Sequence, residues 1–183
     1  MIARWLVFLF VAFAVAGCAC TSAKACEATS FINNAGGALM GAARSGSATA
    51  LAGVASRYTD MRGIAMFALG PNRRLVNRDR EAEYVALTRG FIGRFLAKNS
   101  GRFSGNQLTI TECAGSKGSM TVKTEFSGGK KIVFKIYKTK RGYLVRDVNI
   151  SSVWLAQQLR STFTGVIRRN NGDIAALFKY LRT

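Results

Sequence analysis

"MTVKTEFSGGKKIVFKIYKTKRGYLVRDVNI", residues 120–150, alternates apolar and polar side chains with a period of two. Met120, Val122, Thr124 and Phe126 alternate with Thr121, Lys123 and Glu125, and Ile132, Phe134 and Ile136 alternate with Val133, Lys135 and Tyr137. In a strand successive side chains point to opposite faces, so each segment reads as a strand with one apolar side. "SGGKK" at 127–131 and "KTKRG" at 138–142 read as hairpin turns, after which Leu144 to Ile150 returns as another strand. Upstream, Leu108 and Ile110 alternate with Thr109 and Thr111. The expectation is a sheet of four antiparallel strands whose apolar face must be covered.

The flanking segments supply the cover. Downstream, Ser151 or Ser152 can cap a helix with Leu155, Leu159, Phe163, Val166 and Ile167 on one stripe. Asn171-Gly172 interrupts it, Asp173 stands near the next helix start, and Ile174, Leu177, Phe178 and Leu181 form the last stripe. Upstream, residues 27–58 are weakly helical and rich in Ala and Gly, with a break at "SGS" (45–47). Ile64, Phe67 and Ala68 fall on one helical face that Gly70-Pro71 ends. Asn77 can cap the next helix, where Tyr84, Leu87, Phe91 and Phe95 recur at spacings of three and four. The fold class is α+β, one domain: a curved four-stranded antiparallel sheet wrapped by N- and C-terminal helices.

The N-terminus fixes the compartment. Arg4 precedes an unbroken apolar run of twelve residues, Trp5 to Ala16, which spans roughly 18 Å as a helix against about 30 Å of bilayer core. That is the shape of a signal peptide covering residues 1–25, followed by a single domain over 26–183. Ala23-Lys24-Ala25 fits cleavage before Cys26, whereas Val15-Ala16-Gly17-Cys18 resembles a lipobox that would leave Cys18 lipidated. The first cut leaves Cys26 and Cys113, an even count that can pair in an oxidising space; the second leaves three unlipidated cysteines. Export makes nucleic acid a poor partner for a chain with 27 Lys and Arg against 9 Asp and Glu, formally +18. Anionic membrane or acidic protein surfaces are the better match, with Lys130, Lys131 and Lys138 as candidate docking residues and a transient membrane contact as the result.

Catalytic signatures are sparse. The sequence has no histidine, which removes Ser-His-Asp and Cys-His sites and any imidazole-bound zinc. "NNAGGALMGAARSG" (33–46) lacks the Lys-Ser/Thr ending of a phosphate loop. Tyr143 and Asp147, four apart on one strand, share a face and read as a solvated surface. No catalytic residue, metal ligand or cofactor is expected.

The order of motifs resembles the MlaC family of periplasmic phospholipid-binding proteins, also called toluene-tolerance auxiliary proteins. "DMRGIAMFALGPNRR" (60–74) is similar to the family's Asp-x-x-x-Ile-Ala-x-Phe-x-Leu-Gly segment, followed by the helix "EAEYVALTRGFIGRFL" (81–96) and "RFSG" (102–105). "YLVRDV" (143–148) stands for the closing strand, Arg160-Ser161-Thr162-Phe163 for the Arg-Ser-x-Phe helix, and Asn171-Gly172 through Leu177 for the ending. Tyr143 replaces the usual tryptophan, and Ser152-Val153-Trp154 the usual Gly-Val-Ser. The resemblance implies a nuclear-transport-factor-like fold. It also implies a shuttle that carries phospholipid between an outer-membrane lipoprotein complex and an inner-membrane ABC transporter with an MCE-domain subunit, maintaining outer-membrane lipid asymmetry. Val153 and Trp154 then stand near the lipid pocket. Phe67, Phe91, Phe134, Ile136, Phe163 and Ile167 complete the expected lining. Each buried methylene is worth about 0.8 kcal/mol, so two chains of roughly sixteen carbons reach about 25 kcal/mol of gross transfer before ordering costs. The alternatives are a hopanoid-type cargo, a Cys18-anchored lipoprotein, and a small enzyme on the same fold.

Overall fold

A computed structural model describes residues 26–102, 107–116, 118–127 and 129–183. The export signal and Cys18 lie outside the described residues. The chain opens with α1 (Thr29–Ser45) and α2 (Ala48–Tyr58). Between them Gly46 takes a left-handed φ of 62°, and the Ser47 hydroxyl accepts from the Ala50 N–H at 3.2 Å. Asp60 caps α3 (Met61–Ala68), its Oδ1 accepting from the Gly63 N–H at 2.9 Å. The Asp60 N–H donates to the Val145 carbonyl at 2.9 Å, which ties the start of α3 to the sheet. The aspartate that opens the recognised motif is thus a structural cap.

A 3-10 turn through Pro71 leads to α4 (Arg78–Lys98), with Asp79 and Glu81 in its first turn, where the helix dipole favours them. Asn77 holds the cap position, but its side chain makes no capping bond. The helix buries Tyr84, Thr88, Ile92, Gly93 and Leu96, a face rotated from the expected Tyr84–Leu87–Phe91–Phe95 stripe. Gly93 is the cause. A Cβ there would lie 2.7 Å from the Ala52 Cβ and overlap the Ala48 carbonyl, so α2 and α4 pack almost backbone to backbone. Gly93→Ala is therefore expected to destabilise the fold by about 1–3 kcal/mol from overpacking, despite about 1 kcal/mol gained in helix propensity. Urea titration of the two proteins measures the difference, and a more stable variant would show that α2 yields freely.

The sheet has five strands where the alternation predicts four, in the order β1 (Leu108–Ser116), β2 (Ser119–Phe126), β3 (Lys130–Thr139), β4 (Gly142–Ile150) and β5 (Val153–Trp154), all antiparallel. The short fifth strand pairs Val153 with Ile150 and Trp154 with Asn149. Its turn is made by Ser151 and Ser152, both at positive φ (51° and 67°), so neither serine caps the following helix. Instead the Asp147 Oδ1 accepts from the Ala156 N–H at 2.9 Å, in the first turn of α5 (Leu155–Arg169), and from the Val148 N–H at 2.8 Å.

Asp147 reaches the helix because β4 bulges. Val145 pairs with Ile136 and Asp147 with Lys135, leaving Arg146 as the extra residue. Tyr143 pairs with Lys138, and Lys135 and Lys138 lie three apart on the regular strand β3. Tyr143 and Asp147 consequently face opposite sides, not the common side that their spacing predicts.

The inner sheet face carries Val122, Phe126, Ile132, Phe134, Ile136 and Val145, all buried. Helix α5 and α6 (Ile174–Arg182) bury the stripes expected of them, including Leu159, Phe163, Val166, Ile167, Leu177, Phe178 and Leu181. Asp173 caps α6 through the Ala175 N–H at 2.8 Å. Cys26, just before α1, forms a disulfide with Cys113 of β1, their Cα atoms 5.7 Å apart. Among the described residues no helix is long and apolar enough to cross a membrane.

Candidate functional site

Between the inner sheet face and the helices lies a cavity of about 80 Å³. Ala35 and Leu39 of α1, Val54, Ala55 and Tyr58 of α2, and Ile92 and Leu96 of α4 form its helical wall. Ile132, Phe134, Val145, Val148 and Ile150 form the sheet wall. Met61 and Ile64 of α3 and Leu155 and Ala156 of α5 close the ends. The charged group on this lining is Asp147, held by the two backbone N–H groups it caps.

The cavity exists because the helical wall is built partly of alanine. Sheet and helices are held apart by larger neighbours, and Ala35 and Ala55 do not fill the gap. A mostly apolar surface groove of about 290 Å³ adjoins it, sharing Ile150 and Leu155 and lined also by Phe95, Asn99, Ser151, Val153 and Gln158. Val153 is 48% exposed there, one of the few large apolar side chains on the surface.

The expected lining residues divide. Phe134 lines the cavity and Val153 the groove. Ile136 is buried on the inner face of β3 beside the cavity without lining it. Phe163 and Ile167 are buried on α5, and the Phe91 ring meets Phe163 edge to face at 5.6 Å and Tyr180 at a tilt at 5.5 Å, so this group joins α4, α5 and α6. Phe67 turns outward, 39% exposed, with the Arg160 guanidinium 5.2 Å from its ring. Trp154 is half-buried under the Lys135 ammonium, 4.0 Å from the ring centroid. Leu39, Val54, Ile92 and Leu96 line the cavity and are not among the expected lining residues. For Ile92 and Leu96 the signal was available in the i, i+4 spacing from Tyr84 through Thr88.

The three candidate docking lysines occupy both ends of β3, about 26 Å apart along the strand. The Lys130 Nζ donates to the Gly101 carbonyl at 3.1 Å. Lys130 and Lys131 line a hollow of about 670 Å³ that shares Ile150 with the groove. Lys138, at the far end, lies 3.8 Å from the Glu27 carboxylate and 5.7 Å from the Tyr143 ring. Among the described residues no three His, Cys, Asp or Glu side chains gather as a metal site. The chemistry on offer is burial of hydrocarbon beside a basic rim.

The family profile described as MlaC protein matches residues 34–183. Among solved structures, the chain is similar to the phospholipid-binding protein of Ralstonia solanacearum, determined in complex with a phospholipid. The two share 15% sequence identity and a TM-score of 0.72, over 85% of this chain and 94% of that one. At that identity the likeness is one of fold, the open curved sheet with flanking helices. No curated protein matches the sequence.

Proposed function

This chain belongs to the MlaC family, whose members are binding proteins, and from that premise we propose that it carries a phospholipid through the periplasm with the acyl chains in the central cavity and its groove. The observation that carries this reading is that the cavity and the groove share Ile150 and Leu155 in their linings. An apolar cavity deep inside the fold would be a packing defect, whereas one parted from a surface groove at Val153 by the side chains of Ile150 and Leu155 gains an entrance for hydrocarbon when those side chains move. The solved relative in complex with a phospholipid supports it from the side of the fold.

At about 80 Å³ the cavity is narrower than the roughly 300–1,000 Å³ of ordinary ligand sites, so cargo enters by parting the helices from the sheet. The wall suits this, since Leu39 and Met61 can change rotamer and Ala35 and Ala55 offer little to clash. Phe134 and Val153 then touch the chains directly, while Phe91, Ile136, Phe163 and Ile167 pack behind the first layer. The carrier works between an inner-membrane ABC transporter with an MCE-domain subunit and an outer-membrane lipoprotein complex. Extraction and native mass spectrometry of protein purified from periplasm test the core of the reading, with one diacyl phospholipid per chain expected. A folded protein that carries no lipid and takes none from vesicles would sink it.

Docking is assigned to the basic rim beside the groove. The double variant Lys130→Glu/Lys131→Glu is expected to slow lipid transfer to anionic acceptor vesicles several-fold at low salt and to flatten its salt dependence, with bound lipid unchanged. Lys138→Glu should add little, because that lysine sits at the other end of β3 against Glu27. Loss of bound lipid from the folded double variant would move these lysines from docking to cargo binding.

A further inference from the structure

On the far side of α4 from its α6 contacts, Arg78, Ala82, Val85, Ala86 and Arg89 share one helical face. They floor a surface hollow of about 590 Å³, walled by Ser56 of α2 and by Met61 and Arg62 at the start of α3. The lipid groove touches only the opposite end of α4, at Phe95 and Asn99. The four arginines of α4 divide between these surroundings. Arg80 bonds Glu83 at 3.1 Å and lies 3.9 Å from the Phe178 ring, and Arg94 donates to the Leu181 carbonyl, so both tie α4 to α6. Arg78 and Arg89, on the hollow, enter none of the ion pairs or cation–ring contacts among the described residues. The helix offers them no carboxylate either. Glu81, three residues after Arg78, is bonded to Arg62 at 2.5 Å, and Arg89 has Val85 and Gly93 four residues to either side.

A helix face that is charged only for solubility carries opposite charges three or four residues apart, where they pair. Here two unpaired cations stand eleven residues apart, about 16 Å along the axis, with small apolar side chains between them. Ala82 and Ala86 are exposed and Val85 is half-buried. Such a floor admits a second helix at the short end of the usual interaxial distances of roughly 8–10 Å. An extended segment needs a strand edge to pair with, and this lining is all helix. The occupant must therefore satisfy its own backbone, which a helix does. A flat bilayer does not reach a concave floor between helices, and a row of phosphates has no use for an apolar one.

We infer that this hollow is a docking site for a partner protein that presents an acidic amphipathic helix. Apolar side chains of that helix rest on Ala82, Val85 and Ala86, and carboxylates about three turns apart meet Arg78 and Arg89. Arg62, already bonded to Glu81, walls the α3 side. A basic helix, or one whose acids lie on its other face, is turned away by the same arginines. The site depends on the surface alone and stands whatever the cargo of the cavity. Because it lies away from Val153, a partner can hold the protein here and leave the groove uncovered.

The test is titration of synthetic peptides with the mature protein, read by fluorescence anisotropy. The probe is an alanine-based helix with a row of leucines and, at the two ends of that row, glutamates three turns apart. Its counterpart carries lysines in place of the glutamates. The acidic peptide is expected to bind about tenfold more tightly than the basic one at low salt. Arg78→Gln/Arg89→Gln, changed at two exposed positions, should weaken the acidic peptide about tenfold and leave the melting temperature where it is. Lys130→Gln/Lys131→Gln removes the same charge from another surface and should leave the peptide's affinity unchanged. Ala86→Trp, which fills the floor and keeps both arginines, should weaken binding as the arginine variant does. Equal losses in the two charge variants would reduce the binding to the general attraction of a basic chain for an acidic peptide, and overturn the site. Equal affinity for the two peptides, or full binding by Ala86→Trp, would overturn it as well. Displacement of the acidic peptide by phosphatidylglycerol vesicles would make the surface a membrane contact instead.

Discussion

Val153→Glu is expected to leave the protein folded, melting close to the parent, and to strip it of phospholipid, whereas Phe134→Glu is expected to prevent folding. Both changes put a carboxylate on the lining of the apolar space, and the environments decide the outcome. Val153 is 48% exposed on the rim of the groove, so a glutamate there stays hydrated in the free protein and costs the fold little. When an acyl chain lies in the groove, the same carboxylate loses water without gaining a partner, and binding becomes unfavourable. Phe134 is 5% exposed at the centre of the inner sheet face, paired between Val122 and Val148. A carboxylate there forfeits the burial of an aromatic ring and faces desolvation of several kcal/mol, comparable with the roughly 5–15 kcal/mol that a whole domain holds in reserve. Circular dichroism, thermal melting and lipid extraction on the two variants check both halves. A folded Val153→Glu protein with its full complement of lipid would remove the groove from the site and confine the chains to the cavity.

The sheet was legible in the sequence because its inner face obeys a period of two with few interruptions. Val122, Thr124, Phe126, Ile132, Phe134 and Ile136 are inward as the alternation predicts. The terminal stripes of α5 and α6 were legible for the same kind of reason, as were the breaks at Ser47 and Asn171-Gly172. The rest was hidden by interactions that have no local pattern. The bulge at Arg146 shifts Asp147 out of register with Tyr143, and only the pairing with β3 reveals it. The cap of α5 comes from Asp147, nine residues before the N–H it serves, so the nearer Ser151 and Ser152 were the natural but mistaken choice. On α4, neighbours on two sides make the apolar belt wide, and Gly93, the residue that sets the closest contact, contributes nothing to a hydrophobic stripe. The cavity was hardest to read. Periodicity finds large side chains, and Phe91, Phe163 and Ile167 are indeed well packed, but a cavity lies where Ala35 and Ala55 leave space.

Breaking the Cys26–Cys113 bond is expected to cost about 2–4 kcal/mol of stability. The two cysteines are 87 residues apart in sequence, so the bond closes a long loop in the unfolded chain, where the entropic effect of a cross-link is large. Cys113→Ser should therefore lower the urea midpoint substantially. Reductant should bring the parent down to the same midpoint and leave the variant where it is. Identical midpoints for parent and variant without reductant would mean that the bond does not form in the purified protein. The bond also matters to the cavity. It anchors the residues before α1 to β1 at the edge of the sheet, and α1 carries Ala35 and Leu39 into the helical wall. If cargo enters by parting that wall from the sheet, the disulfide fixes the end of α1 about which the wall can open. The reduced protein should then release lipid to acceptor vesicles faster than the oxidised one, under conditions where both remain folded. Equal release rates would place the opening at the α3–α5 side of the cavity, away from the bond.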